Sequence, residues 1–190
     1  MVVEPAPNHW SEERRQGLPR ADGMSQAEKT LLLLLDDVRG KTLRELEGLD
    51  DSHARWVPPG LQNSCLWHAG HAYVVVEFLT MRAIAQEPKM PDGWLKMFSW
   101  ESNPARVPPE DWPSLERLVT SLSEQRRRLH EVIGGLTAQQ LDALEPTSRE
   151  LTVRGAILHG LHDEARHSGE ISLLRKLMSR TYHDQPPSAV

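Results

Sequence analysis

Residues 159–171, HGLHDEARHSGEI, place two histidines and an aspartate at steps of four along one short segment. An α-helix turns once every ~3.6 residues, so His159, Asp163 and His167 share one face of a predicted helix. The same face carries an apolar stripe made of Val153, Ala156, Gly160, Ile171, Leu174 and Met178. A carboxylate in such a stripe is costly unless a metal or a hydrogen-bonding partner compensates it. The segment therefore predicts a long helix that presents a candidate metal site to the core.

Apolar residues at helical spacing predict three more long helices before this one. Two helix starts are marked by Ser25 and by Asn63 or Ser64, because such side chains cap free backbone N–H groups. Numbered one to four, with a shorter segment before the last, the predicted helices cover about residues 26–49, 63–87, 114–133, 137–144 and 152–179.

Between predicted helices two and three, residues 87–112 carry several prolines together with Trp94 and Trp100. This segment is too interrupted for a long helix and too aromatic for a simple linker. We expect it to cross one end of the helices and to wall a pocket. The predicted fold class is therefore all-α: a four-helix bundle with a long crossover between helices two and three, which would let those two helices run parallel.

The length of 190 residues fits one domain. We predict a bundle over residues 24–180, preceded by a flexible N-terminal extension at 1–23 and followed by a C-terminal tail at 181–190. Lys and Arg total 22 against 27 Asp and Glu, a formal net charge of -5, so nothing favours a nucleic-acid partner. The one basic cluster, residues 126–128, is interpreted as the solvated face of helix three.

Cysteine usage and hydropathy bear on the compartment. The single cysteine, Cys65, excludes an internal disulfide and fits a reducing environment. The leucine run 31–35 is flanked by charged residues and is far too short to span a membrane. The N-terminus lacks the apolar core of a secretory signal. We therefore expect a cytoplasmic protein with a small-molecule substrate and no membrane partner.

A metal held by one helix alone would be poorly enclosed, so a further ligand is expected from another helix. His71, in CLWHAGHAYVVVEFL (65–79), falls within the apolar stripe of helix two, while His68 lies at its flank. With a rise of about 1.5 Å per residue, His71 lies at the same height along the bundle as Asp163 and His167 if the two helices are antiparallel. If they are parallel, the heights differ by about one turn.

Alternatives stay open for each of these residues. The His–Asp–His combination also fits a buried hydrogen-bonded cluster that fixes helix register without metal. His159 could be a ligand, a partner of Asp163, a proton carrier or purely structural. Arg166 is predicted at the surface, where it could contact an anionic substrate. Trp94 and Trp100 are pocket candidates, with core packing as the default.

Two segments, NSCLWHAGHAYVVVE (63–77) and HGLHDEARHSGEISLLRKL (159–177), resemble the DinB-like superfamily, which includes mycothiol-dependent maleylpyruvate isomerases and bacillithiol transferases. The resemblance implies a four-helix bundle that binds a divalent metal through one histidine on helix two and an HxxxH or ExxxH pair on helix four. By position these ligands are His71, Asp163 and His167. The isomerase-like branch has glutamate where this chain has the shorter Asp163. Relatives often dimerise, so a homodimer is expected.

Two imidazoles and one carboxylate leave positions open on a divalent metal, with zinc the first choice and nickel, manganese or iron as alternatives. Such a metal could activate a thiol cosubstrate or water for transfer, isomerisation or hydrolysis of a small molecule. The thiol is implied by the resemblance alone. If it holds, His159 and Arg166 are expected to act in catalysis, and Trp94 and Trp100 to contact the cosubstrate. The alternative function is a non-catalytic metal-binding or stress-associated helical scaffold.

Overall fold

The computed structural model describes residues 26–148 and 150–183, and within these ranges the chain is helical. The helices, in chain order, are α1 (Gln26–Leu46), α2 (Asp51–Arg55), α3 (Cys65–Ala83), α4 (Trp94–Phe98), α5 (Leu115–Gly134), α6 (Ala138–Asp142) and α7 (Val153–His183). Two short 3-10 turns, Pro104–Arg106 and Pro109–Asp111, lie between α4 and α5. The predicted N-terminal extension, the Ser25 cap and most of the predicted tail lie outside the described residues.

The four predicted long helices correspond to α1, α3, α5 and α7, and the all-α class is confirmed for the described residues. Helix starts follow local capping chemistry. The Ser64 hydroxyl accepts a hydrogen bond from the backbone N–H of Trp67 at 3.2 Å, and Ser114 caps α5 in the same way. α1 ends three residues before its predicted end, because Gly48 takes a left-handed φ of 74° just beyond it. The parallel arrangement of predicted helices two and three stays a prediction.

The long helices pack through their apolar faces. α7 lies against α3 and α1, and α5 lies against α1 and α3. Gly160 of α7 permits a close approach, since a Cβ atom there would lie 3.3 Å from the Cα of Val76. This approach brings the middle of α3 beside the middle of α7, where the histidines lie. None of the helices in the described ranges is both long and apolar enough to cross a membrane.

The long connection docks on α3 through α4. Gly70 faces the ring of Phe98, and a Cβ atom at Gly70 would come within 2.3 Å of that ring. Glycine is therefore required for Phe98 to enter the core at this point. Phe98 in turn makes edge contacts with the ring of Trp94 at a centroid distance of 5.5 Å. The end of α4 is thus fixed against the helix that carries His68 and His71.

A fully buried arginine joins α1, α5 and α7. Arg39 of α1 donates to both carboxylate oxygens of Glu164, at 2.6 and 2.9 Å. It also donates to the Leu122 carbonyl at 2.7 Å and to the Gln125 side chain at 2.8 Å. Every guanidinium nitrogen therefore has an acceptor, which is the condition under which a buried charge is tolerated. We call Arg39, Glu164 and Gln125 the arginine network.

The basic cluster at residues 126–128 is only partly solvated, so its sequence interpretation was wrong for two of its three members. Arg128 reaches inward to the fully buried carboxylate of Glu77. Arg126 pairs with Asp36 of α1 at 2.7 Å. Arg127 alone of the three is exposed. The sequence shows that these three residues are charged. Which of them turns inward depends on the partner that a neighbouring helix presents.

Candidate metal centre

His71 on α3 and the pair Asp163 and His167 on α7 converge beneath the surface. Oδ2 of Asp163 lies 3.3 Å from Nε2 of His71 and 3.5 Å from Nε2 of His167. The candidate ligand atoms of the three residues all lie within 4.8 Å of one another. The histidine side chains are 7% and 6% exposed, and the Asp163 side chain is 16% exposed. We call these three residues the His–Asp–His site.

Two atoms of this site are buried without a hydrogen-bond partner among the described residues: Oδ2 of Asp163 and Nε2 of His167. The 3.3 Å separation between Oδ2 and His71 lies within ion-pair range, but its angles do not make a hydrogen bond. Buried polar atoms are nearly always paired, and a buried carboxylate oxygen left unpaired is costly. A cation between the three side chains would remove that cost.

The orientation of His71 is fixed by the connection between α3 and α5. Its Nδ1 lies 2.6 Å from the carbonyl oxygen of Phe98. A carbonyl only accepts, so Nδ1 carries the hydrogen and the neutral ring turns the Nε2 lone pair towards Asp163. The ring of Trp67 stacks on His71 at a centroid distance of 4.8 Å, and its indole N–H donates to Ser102 at 2.9 Å. The ring is thus presented as a metal ligand.

His167 contacts a further histidine that sequence analysis had placed at the flank of the stripe. Nδ1 of His167 lies 2.7 Å from Nδ1 of His68, and Nε2 of His68 lies 3.3 Å from a carboxylate oxygen of Glu170. These three residues form a second group whose ligand atoms lie close together. The sequence pattern gave His68 no partner, and Glu170 was not among the predicted site residues. The available signal was the i, i+3 spacing of His68 with His71 and of His167 with Glu170.

Electrostatics keep His68 and His167 neutral and Asp163 charged. Burial lowers the pKa of His68 to about 3, and neighbouring positive charge on His167 and His71 acts in the same direction. Burial also lowers the pKa of His167 to about 4, with His71 as the next cause. For Asp163, burial by itself raises the pKa, but contacts with His71, His167 and Arg166 outweigh it and lower the pKa from 3.8. The site therefore offers a neutral nitrogen on His167 and an anionic oxygen on Asp163 near pH 7.

This donor set fits a divalent transition metal. Neutral imidazole nitrogens and a carboxylate oxygen are the ligands of zinc, nickel, manganese and ferrous iron sites, and three protein ligands leave at least one position free. The alternative, a metal-free hydrogen-bonded cluster, needs a hydrogen on Nε2 of His71 or of His167 that can be donated to Asp163. The unpaired oxygen on Asp163 and the lone pair facing it favour the metal.

The two residues predicted to act in catalysis lie on the outer side of α7. Arg166 is exposed, and its guanidinium lies 3.2 Å from Oδ1 of Asp163. His159 is exposed one turn before Asp163 and belongs to neither group of candidate ligands formed by the described residues. The expectation that His159 shares the inward face was wrong, because each step of four residues turns about 40° around a helix and leaves His159 outside the buried stripe that contains Gly160 and His167.

The two tryptophans predicted to contact a cosubstrate lie in different surroundings. Trp94 is 3% exposed and makes an edge contact with Tyr73 at 5.1 Å, so the structure places it in the core, the default alternative. Trp100 is 59% exposed and lies edge-on to Phe78 at 5.8 Å. A contact between Trp100 and a cosubstrate therefore stays a prediction, whereas the ring of Trp94 packs in the core.

Comparison with known proteins supports this description. A model of the DinB superfamily matches residues 34–171. No curated protein matches the chain. A solved structure described as a conserved protein of locus from Enterococcus faecalis aligns with a TM-score of 0.63 and 15% identity, over 82% of this chain and 98% of that chain. At this identity the likeness shows the fold alone. Because the family match covers well over half of the residues, the chain belongs to the DinB superfamily.

Proposed function

We propose that the protein is a metal-dependent enzyme in which His71, Asp163 and His167 hold one divalent cation, with zinc the first choice. The observation that carries this proposal is the pair of buried, unpartnered atoms on Asp163 and His167. They belong to two of the three side chains that converge from α3 and α7. A resident cation of this kind supplies a Lewis acid that lowers the pKa of a coordinated water or thiol.

The surrounding residues support substrate binding on one side of the site. Asp163 is the ligand nearest to solvent, so a small molecule would approach along its side. Arg166 already neutralises part of the Asp163 charge and has further N–H groups free to bind an anionic group of a substrate. His159 lies one turn along the same helix, within the region that an extended substrate would cover. Transfer, isomerisation and hydrolysis are the reactions proposed, with a thiol cosubstrate as the family-based choice.

The deep burial of the ligands favours a second candidate. The histidine side chains of the site are at most 7% exposed, which suits a cation held for structural reasons. A metal-binding helical scaffold without turnover would explain this burial equally well. It predicts bound metal and no reaction across a panel of thiol-dependent and hydrolytic substrates.

Elemental analysis of protein purified without an affinity tag tests the proposal directly. We expect about one divalent cation per chain, lost together with turnover in His71→Ala and Asp163→Ala. His162→Ala is the matched control, because His162 is exposed on the same helix and should leave the metal content unchanged. Turnover that survives complete metal removal, or a wild-type protein that binds no divalent cation, would overturn the proposal.

A further inference from the structure

We propose that Glu170 and His68 are positioning residues that fix the hydrogen on Nδ1 of His167 and so leave its Nε2 free to bind the cation. This inference rests on the proposed function, because it concerns how one ligand of that site is held. It assigns a role to two residues that lie outside the His–Asp–His site. The role follows from two contacts that run in series from the half-exposed Glu170 through buried His68 to His167.

The contact between His68 and His167 is a hydrogen bond and leaves no space for an ion. The two Nδ1 atoms are 2.7 Å apart, a normal donor–acceptor distance. Two nitrogens bound to one tetrahedral zinc at about 2.0–2.1 Å would be separated by roughly 3.3 Å. A second cation bridging these two atoms is therefore too large for the space. One ring donates to the other.

The Glu170 carboxylate favours one of the two donors. Its oxygen lies 3.3 Å from Nε2 of His68, within ion-pair range, and negative charge beside that nitrogen favours the tautomer that carries its hydrogen there. The hydrogen of neutral His68 is therefore favoured on Nε2, which leaves a lone pair on its Nδ1. His68 must then accept from His167 at the Nδ1–Nδ1 contact. His167 consequently carries its hydrogen on Nδ1, and its Nε2 is bare.

The bare Nε2 of His167 is the same atom that the structure leaves without a hydrogen-bond partner. It lies 3.5 Å from Oδ2 of Asp163, where a hydrogen on Nε2 would occupy the space that the cation needs. The opposite tautomer would put the hydrogen there. Three independent contacts thus agree on one arrangement, in which both histidine ligands carry their hydrogen on Nδ1 and turn Nε2 to the site.

The two histidine ligands are held by different kinds of partner. His71 donates to the backbone carbonyl of Phe98, which no side-chain substitution can remove. His167 donates to a side chain whose own state depends on Glu170, and the Glu170 side chain is 49% exposed. Substitution of Glu170 should therefore weaken the binding of the cation through His167 while leaving the His71 side of the site unchanged.

The test measures zinc affinity and histidine tautomers in the full chain. By competition with a chelator, Glu170→Gln should bind zinc about 10-fold more weakly than the wild type, at the lower end of the effects that such supporting partners have on affinity. Glu131→Gln is the matched control, because Glu131 is an exposed glutamate on α5, and it should keep the wild-type affinity. Glu170 is half exposed, so its substitution should leave folding intact.

Long-range ¹H–¹⁵N spectra of the histidine rings supply a readout that does not depend on activity. In metal-free and zinc-loaded wild type, His167 should carry its hydrogen on Nδ1 and His68 on Nε2. In metal-free Glu170→Gln, the opposite tautomers should gain population. Wild-type tautomers in that variant, or equal zinc affinity for Glu170→Gln and Glu131→Gln, would overturn the positioning role while leaving the proposed function intact.

Stoichiometry separates this inference from a second metal site. One zinc per chain in both the wild type and Glu170→Gln supports it. Two zinc ions in the wild type and one in Glu170→Gln would overturn it, because Glu170, His68 and His167 would then be ligands themselves. A wild type that binds no zinc at all would remove the proposed function and this inference with it.

Discussion

Two buried polar clusters lie on adjacent faces of α7, because Asp163 and Glu164 are neighbours in sequence and successive side chains point about 100° apart around a helix. Glu164 belongs to the arginine network, in which every nitrogen of Arg39 has an acceptor. Asp163 belongs to the His–Asp–His site, in which two buried atoms have no partner in the described chain. Saturated hydrogen bonding marks the first cluster as a device that holds helices together. Incomplete hydrogen bonding in the second cluster is the observation that supports the proposed cation there.

The largest effect is expected from a substitution that breaks the arginine network. Arg39→Met leaves Glu164 as an uncompensated buried carboxylate, and the removal of one partner from a buried pair costs about 3–5 kcal/mol of unfolding free energy. Urea denaturation of the variant and the wild type measures the difference. Lys41→Ala, which removes an exposed ion pair on the same helix, should change stability by less than about 1 kcal/mol. A similar small change in Arg39→Met would show that the network is dispensable.

A pH change should act on His167 of the His–Asp–His site and on His68 beside it. His68 and His167 have pKa values lowered from 6.5 to about 3 and about 4, so below pH 6.5 the unfolded chain binds protons that the folded chain does not. Their stabilisation is complete above pH 6.5 and is lost as pH falls towards 4. For the metal-free protein we expect a loss of roughly 2–4 kcal/mol between pH 7 and pH 5.

The arginine network contains no histidine and should not contribute to this pH dependence. Denaturant unfolding at the two pH values, repeated with His68→Gln, isolates the contribution of His68 to the pH dependence of the unfolding free energy. The variant should lose less stability than the wild type over the same interval. An identical loss in both proteins would place the pH dependence elsewhere in the chain.

The smallest expected effect concerns the ligand itself. Zinc at 100 times its dissociation constant should stabilise the wild type by about 2.7 kcal/mol, since only the folded chain presents the site. Asp163→Asn should lose this increment, yet without metal it should unfold within about 1 kcal/mol of the wild type, because it removes a charge that had no full partner. Thermal melts with and without zinc provide the measurement. A large loss in metal-free Asp163→Asn would make the His–Asp–His site structural, like its neighbour.

Local chemistry made much of this arrangement readable from the sequence. Helix α3 begins after Ser64 because that side chain caps its first turn, and apolar periodicity placed all four long helices within a few residues. The i, i+4 spacing of Asp163 and His167 is a property of one helix and needs no knowledge of the fold. His71 was matched to them through its own apolar stripe and through the family resemblance.

Contacts between helices were harder to foresee. Arg128 turns inward because Glu77 lies opposite it on α3, and no pattern within α5 carries that information. The partnership of His68 with Glu170 depends on the rotation of α3 relative to α7, which periodicity leaves undetermined. Trp94 and Trp100 are the same residue type and lie six positions apart. Only Trp94, whose ring enters the core beside Phe98, is buried.

The carbonyl of Phe98 that holds His71 lies 27 positions further along the chain. The length of the connection between these two residues therefore affects the orientation of His71, the proposed metal ligand, as well as the fold. An insertion between α3 and α4 would have to be absorbed before Trp94 or it would rotate His71. An insertion between α5 and α6 would meet no such restriction. Divergence in this protein should accordingly tolerate length changes after Gly134 and resist them from Trp94 to Ser102.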